Sequence, residues 1–281
     1  MSNPTPDFLA KKNPHERDQY ISFDEGPHIY TVHGDTSFTS VTTWNHTHFP
    51  HFDEDAIINN ILNSKKRNDP SYKYYGKTRQ EIKDEWEQNR NEAATAGTKM
   101  HYDIECYYNE MDVSNDSIEY QWFQRFVKDF PELKAYRTEW TVYHEELKLS
   151  GSIDMIFENP DGTLQIYDWK RCRAIEYESG FGKSAITPCI SHLPDTNYWH
   201  YSLQLNTYKT ILEQKYGKKI TGLYLVCLHP NNAYKTYDRI EVPFLEKEMK
   251  DLFAYRANQV AEEKAKQAGQ EGWSACHSVK M

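Results

Sequence analysis

The chain is made to turn back on itself at Asn159-Pro160-Asp161-Gly162, a strong turn signal between two runs rich in β-branched and aromatic residues, 152–157 and 164–170. A strand's period of two puts Asp168 and Lys170 on one face together with Leu164 and Ile166. Folding the hairpin then sets Asp154 alongside Asp168. Two carboxylates held that close repel unless a divalent cation lies between them, and hard oxygen ligands suit Mg²⁺ or Mn²⁺. An amine on the same face would lower the pKa of an attacking water or neutralise charge on a phosphorane-like transition state. Asp154, Asp168 and Lys170 are therefore the minimum kit for metal-dependent phosphodiester hydrolysis. An exposed hairpin whose Asp and Lys merely pair would read the same way, so other segments must decide.

Three segments bear on that choice. Residues 81–108 read as a helix with Trp86, Ala93, Met100 and Tyr107 recurring as an apolar stripe, and His101 and Glu105 share a neighbouring face, four residues apart. Such a pair can bring a metal ligand and a carboxylate to a site, and Gly97 on that face permits close approach. Residues 201–209 read as a second helix carrying Gln204 and Tyr208 at the same spacing, donors for a phosphate oxygen or a base, or else ordinary packing residues. Glu139 lies in a strand expected over 136–142, from which it can add a ligand or hold a metal-bound water.

In order along residues 93–228, these pieces resemble the RecB-type branch of the PD-(D/E)XK nuclease superfamily, which includes CRISPR-adaptation nucleases and the mitochondrial genome-maintenance exonuclease. Gly97 to Glu105 matches G-T-x-x-H-x-x-x-E, Gly151 to Asp154 matches G-x-x-D, Asp168 to Lys170 matches D-x-K, and Gln204 to Tyr208 matches Q-x-x-x-Y. The resemblance implies that His101, Asp154, Asp168 and the Trp169 carbonyl bind metal, and that Lys170 is the catalytic lysine. It also implies that Gln204 and Tyr208 steady a DNA strand, with Glu139 in the acidic position that precedes G-x-x-D. Many relatives hold an iron–sulfur cluster on four cysteines. The five here, Cys106, Cys172, Cys189, Cys227 and Cys276, are scattered without a C-x-x-C, so no cluster is expected.

Composition bounds the rest. With 33 Lys and Arg against 42 Asp and Glu, the formal charge is −9, which argues against a broad DNA-coating surface. Local basic clusters remain: Lys65-Lys66-Arg67, then Lys73, Lys77 and Arg79, then Arg171, Arg173 and Lys183 leaving the Lys170 strand. The last three are the candidates for DNA binding. Scattered thiols suggest a reducing compartment, and no apolar run approaches the roughly 20 residues of a membrane span. The first 20 residues show neither an apolar signal core nor an acid-poor transit peptide, so an intracellular location, cytoplasmic or nuclear, is expected, with a viral source also open. Gly180 to Ser184 departs from a phosphate loop because residue 177 is Tyr, and His46, His48 and His51 lack partners at zinc-site spacing.

The fold class expected is α/β, a restriction-endonuclease-like mixed central sheet flanked by helices, with N-terminal helical additions. Its parts would be a flexible N-terminus over 1–19, a hairpin and helical region over 20–92, the nuclease core over 93–268 and a flexible C-terminus over 269–281. The sheet would comprise strands near 136–143, 148–157, 164–170 and 220–228, with an edge strand at 236–242 and a charged helix over 246–267. The long connection 171–199, with Gly180, Gly182, Pro188 and Pro194, reads as an active-site flap or a mobile insertion, and its Phe181, Tyr198, Trp199 and Tyr201 as stackers for single-strand bases or core residues. The activity expected is a Mg²⁺- or Mn²⁺-dependent exonuclease on DNA ends or single strands in replication, repair or recombination. A noncatalytic nucleic-acid-binding or assembly module, meeting replication or repair proteins, is the alternative.

Overall fold

The computed structural model describes residues 5–180 and 182–278, with side chains in the C-terminal helix through residue 266 and at 268. Its elements are α1 (Phe8–Lys12), β1 (Ile21–Asp24), β2 (Ile29–Val32), β3 (Thr39–Ser40), α2 (Val41–His46), α3 (Glu54–Asn63), α4 (Arg79–Tyr108) and α5 (Ile118–Asp129). Then follow β4 (Lys134–His144), β5 (Leu149–Glu158), β6 (Leu164–Lys170), α6 (Asn197–Lys215), β7 (Ile220–Cys227), β8 (Asp238–Glu241) and α7 (Glu246–Ser278). The result is an α/β fold with a mixed, six-stranded central sheet.

Local signals fix the element ends. The β5–β6 turn closes as its sequence demands: the Gly162 N–H donates to the Asn159 carbonyl at 2.9 Å, and Gly162 adopts a φ of +81° that costs glycine little. Ser40, Asp53, Thr78 and Ser117 each cap a helix through their side chains, and Thr78 with Glu81 forms a reciprocal capping box at the start of α4.

Strand pairing creates the site. β4 runs antiparallel along β5 from Lys134 to His144, so the other edge of β5 is left for two different strands. There β3 pairs in parallel with Leu149 and Ser150, while β6 pairs antiparallel with Met155 to Glu158. Residues 151–154 lie in the gap between them. β7 then adds in parallel to β6, with α6 as the crossover, and β8 closes the edge antiparallel to β7.

Alternation along β6 sends Leu164 and Ile166 into one apolar cluster, with α6 and α7 residues such as Leu203, Ile211 and Leu252. It sends Tyr167 and Trp169 into the other, with Met100 and Ile104 of α4 and Phe123 and Phe126 of α5. The sheet is thus covered on both faces by helices.

Several segments differ from the sequence expectations. The N-terminus, expected to be flexible over 1–19, is anchored where described: Leu9 is buried, and the Arg137 guanidinium and Trp140 indole both donate to Asp18 at 2.8 Å. Residues 1–4 lie outside the described residues, as do 279–281, while α7 runs past the expected 267 to Ser278. Along α4 the predicted stripe packs only at its ends. Met100 is buried and Trp86 and Tyr107 are partly buried, but Ala93, midway along the helix, is exposed. The second half of connection 171–199 is packed rather than free. Ala185, Ile190 and Leu193 are buried in the larger cluster, and the Ile186 N–H donates to the His48 carbonyl at 2.7 Å.

Among the described residues no helix is long and apolar enough to cross a membrane.

Candidate active site

Three adjacent strands each contribute one carboxylate. In β4 and β5, Thr138 pairs with Met155 and Trp140 with Ile153, so Glu139 and Asp154 face each other within that interval. Across the next edge Met155 pairs with Tyr167, which carries Asp154 beside Asp168 as the hairpin predicts. Glu139 adopts φ +40° inside its strand, a left-handed conformation costly for a non-glycine residue and characteristic of functional positions. Its side chain is held by the Ser152 hydroxyl, which donates to Glu139 Oε2 at 2.8 Å.

His101 of α4 completes the cluster. Its Nδ1 lies 3.5 Å from Asp154 Oδ2 and 3.7 Å from Glu139 Oε1. One ligand atom from each of these three residues falls within 4.8 Å of the others. The Trp169 N–H donates to Asp154 Oδ2 at 2.9 Å. Since a strand residue's N–H and C=O leave on the same side, the Trp169 carbonyl is also turned toward β5. Its indole is buried against Phe123 and Phe126, so only its backbone can serve the site.

The ionisable groups of this cluster are crowded and shift one another. Burial, then the neighbouring Asp168, push the Asp154 carboxyl up to about 7. Burial would lower the His101 imidazole, but Asp154 and Glu139 outweigh it and hold it up to about 9. Glu105, one turn on along α4, is raised to about 8 by burial and then by Glu139. These groups hold protons in order to crowd together, and a divalent ion would take the protons' place. One imidazole nitrogen with carboxylate and carbonyl oxygens, and no thiolate, suits Mg²⁺ or Mn²⁺.

Asp168 stands behind this cluster. It is 3% exposed, its Oδ2 lies 2.7 Å from Lys170 Nζ, and Gln204 Nε2 donates to its Oδ1 at 3.4 Å. Lys170 also donates to Gln204 Oε1 at 3.4 Å and lies 4.5 Å from the Tyr201 ring centroid. Burial works against the ammonium, but Asp168 and Asp154 outweigh it and raise its pKa, so Lys170 is charged at neutral pH. That favours charge neutralisation over proton abstraction.

Other expected positions fall differently. Tyr208 is buried at 3% exposure with its phenol against Gly151, so it supports the strand that carries Asp154 rather than lying open to a DNA strand. Gln204 orients Asp168 and Lys170. Arg171 Nε is ion-paired at 2.7 Å with the largely buried Glu119 of α5, whereas Arg173 and Lys183 are exposed. Lys73 and Lys77 both meet Glu85, and Arg79 and Lys83 meet Asp55, so much of the N-terminal basic cluster links α3, α4 and the loop between them. His48 is buried against Thr187, its Nδ1 2.9 Å from the hydroxyl, and His46 lies by His200, so the three N-terminal histidines form no shared site. Phe181 lies outside the described residues, and Tyr198 packs under Tyr177.

Two contributors were not foreseen from sequence. Ser152 could have been found, since a period of two places it with Asp154. Tyr30 of the N-terminal hairpin could not: it is buried, and its hydroxyl meets the backbone N–H of Ser152. Beyond His101 and Glu139 a cleft of 1520 Å³ opens between the hairpin and α4, lined by Phe23, Gly97, Lys99 and Glu105 among others. The space in front of Gly97 is open.

No family model matches the chain, and no curated protein matches it. Among solved structures, one from Eubacterium rectale named "Putative exonuclease" aligns with 55% of this chain and 69% of its own, at 13% identity and a TM-score of 0.29. The chemistry therefore rests on this chain's own residues.

Proposed function

We propose that this protein is a metal-dependent deoxyribonuclease of the PD-(D/E)XK type, acting as an exonuclease on DNA ends or single strands in replication, repair or recombination. The observation that carries the reading is the convergence of His101, Glu139 and Asp154 from three separate elements, with Asp168 and Lys170 immediately behind them. A surface hairpin with an incidental ion pair would not recruit an imidazole from a helix more than 50 residues upstream, nor hold Glu139 at a strained φ.

His101, Glu139, Asp154 and the Trp169 carbonyl would hold Mg²⁺ or Mn²⁺, with Asp168 adjoining. Such an ion supplies Lewis-acid polarisation of a phosphate and a more acidic water. Lys170 keeps its proton at Nζ and faces the charge that develops on the phosphoryl oxygens, while Asp168 and Gln204 fix its position. Ser152 holds the Glu139 carboxylate, and Trp169 N–H holds that of Asp154. The cleft beside α4 gives a strand access to this group. Arg173 and Lys183, exposed on the connection after β6, are the side chains for backbone phosphates, and an intracellular compartment with DNA at hand is the setting.

The test is incubation with end-labelled single-stranded, duplex and circular DNA in Mg²⁺, Mn²⁺ or EDTA, beside Asp168→Ala and Lys170→Ala. Degradation of linear DNA that requires metal and vanishes in both variants is expected. Cutting of circles would make the enzyme an endonuclease. DNA binding without cleavage, indifferent to both substitutions, would replace this reading with a noncatalytic binding module.

A further inference from the structure

The cysteines that the proposed chemistry leaves unused include one pair in contact. Cys172 Sγ lies 3.5 Å from Cys227 Sγ, both as free thiols. The two come from opposite sides of the strand pair that carries Lys170: Cys227 is the register partner of Lys170 on β7, and Cys172 is the second residue past Lys170 at the exit of β6. Cys227 is buried while Cys172 is only partly buried, so Cys172 is the sulfur of the pair nearer to a reagent from solution and Cys227 the one that can resolve it.

We infer that Cys172 and Cys227 form a reversible dithiol–disulfide switch, oxidised by small-molecule disulfides, that weakens the Lys170 site. This rests on the nuclease reading for its effect on catalysis but not for the bond itself. The Cys172 thiolate attacks one sulfur of the small disulfide, forming a mixed disulfide and releasing the first thiolate. The Cys227 thiolate then attacks the Cys172 sulfur and expels the second. The protein gives up two protons and two electrons, and the disulfide leaves as two thiols.

Closure must bring the sulfurs from 3.5 Å to about 2.05 Å. The closing bond would tie the exit of β6 to β7, one residue beyond the point where Arg171 ties it to Glu119 of α5. Lys170 immediately precedes both anchors, and its one short contact is with Asp168 at 2.7 Å, while Gln204 Oε1 lies at 3.4 Å. A displacement of about 1 Å in a catalytic group can cost on the order of 100-fold in rate, so even part of this shift is readable.

The experiment compares reduced protein with protein treated with oxidised glutathione, for wild type, Cys172→Ser and Cys227→Ala. Expected are a peptide linking residues 172 and 227, a fall in free thiols from five to three, and a loss of Mn²⁺-dependent cleavage of about tenfold. Dithiothreitol should reverse all three changes, and neither variant should show the linked peptide or the loss. Glutathione adducts without the linked peptide would overturn the inference, and so would a linked peptide with unchanged cleavage. If reduced wild-type protein cuts no DNA, the nuclease reading fails by itself. Trypsin then decides the thiol pair: slower cutting at Arg173 in oxidised protein supports the tether, and equal rates overturn it.

Discussion

The phenol of Tyr208 occupies the space that a side chain at position 151 would need: a β-carbon built on Gly151 would lie 2.6 Å from its hydroxyl oxygen and 2.8 Å from Cε1. Tyr208 is itself buried and cannot swing away without opening a hole under the sheet. The glycine of one motif and the tyrosine of another are thus two halves of one packing contact, three residues from Asp154. Gly151→Ala should cost about 1–3 kcal/mol as overpacking, read by chemical denaturation. Adding Tyr208→Leu should recover part of that loss, since contacting residues are not additive. A neutral Gly151→Ala would mean that the phenol moves freely.

Lys170→Met keeps the length of the side chain but removes its charge. Cleavage should fall by about 10²–10³-fold, as for loss of one preorganised electrostatic stabiliser. Mn²⁺ affinity, measured by calorimetry, should hold or tighten, because a cation beside Asp168 and Asp154 has gone. A parallel loss of Mn²⁺ binding would assign Lys170 a structural role instead.

Metal binding should release protons. With His101 held up to about 9, the imidazole is protonated at neutral pH and an incoming cation competes with that proton. Affinity for Mn²⁺ should therefore rise with pH, by at most about tenfold per unit for each proton displaced, and level off above about 9 as the imidazole deprotonates by itself. Calorimetry in buffers of different ionisation enthalpy counts the protons, and no release at pH 7 would contradict the predicted charge state.

His48 makes a separate prediction about acid stability. Burial, then Arg256, pushes its pKa down to about 4 from an unfolded value of 6.5. The unfolded chain therefore binds the proton first as pH falls. The contribution of a neutral His48 is fully present above 6.5, is lost between about 6.5 and 4, and amounts to on the order of 3 kcal/mol. Denaturation curves for His48→Gln should lose less stability than wild type across that window, and identical slopes would exclude His48 as the acid-sensitive group.

Tyr30→Phe should leave the fold intact and disturb the site. Its hydroxyl meets the Ser152 N–H, and Ser152 in turn holds Glu139, so the loss should cost about 1 kcal/mol of stability. It should also weaken Mn²⁺ binding. Unchanged binding would show that Glu139 is positioned without the hairpin.

What the sequence determined by itself is what neighbours along the chain decide. Alternation put Asp168 and Lys170 on one side of β6 and Trp169 on the other, and the Asn159 to Gly162 turn set Asp154 opposite Asp168. The helices carrying His101 and Gln204 follow from the same short-range rules, because strand pleat, turn geometry and helical periodicity act over a few residues. Tertiary structure decided the rest. Glu139 faces Asp154 only because β4 pairs along the full length of β5, and residues 151–154 stand free only because β3 and β6 divide the other edge. His101, Tyr30 and the thiols of Cys172 and Cys227 reach their partners across more than 50 residues of chain, and no local pattern encodes those meetings. Such contacts are selected by how whole faces bury together, a property of the packed molecule that periodicity along one segment does not carry.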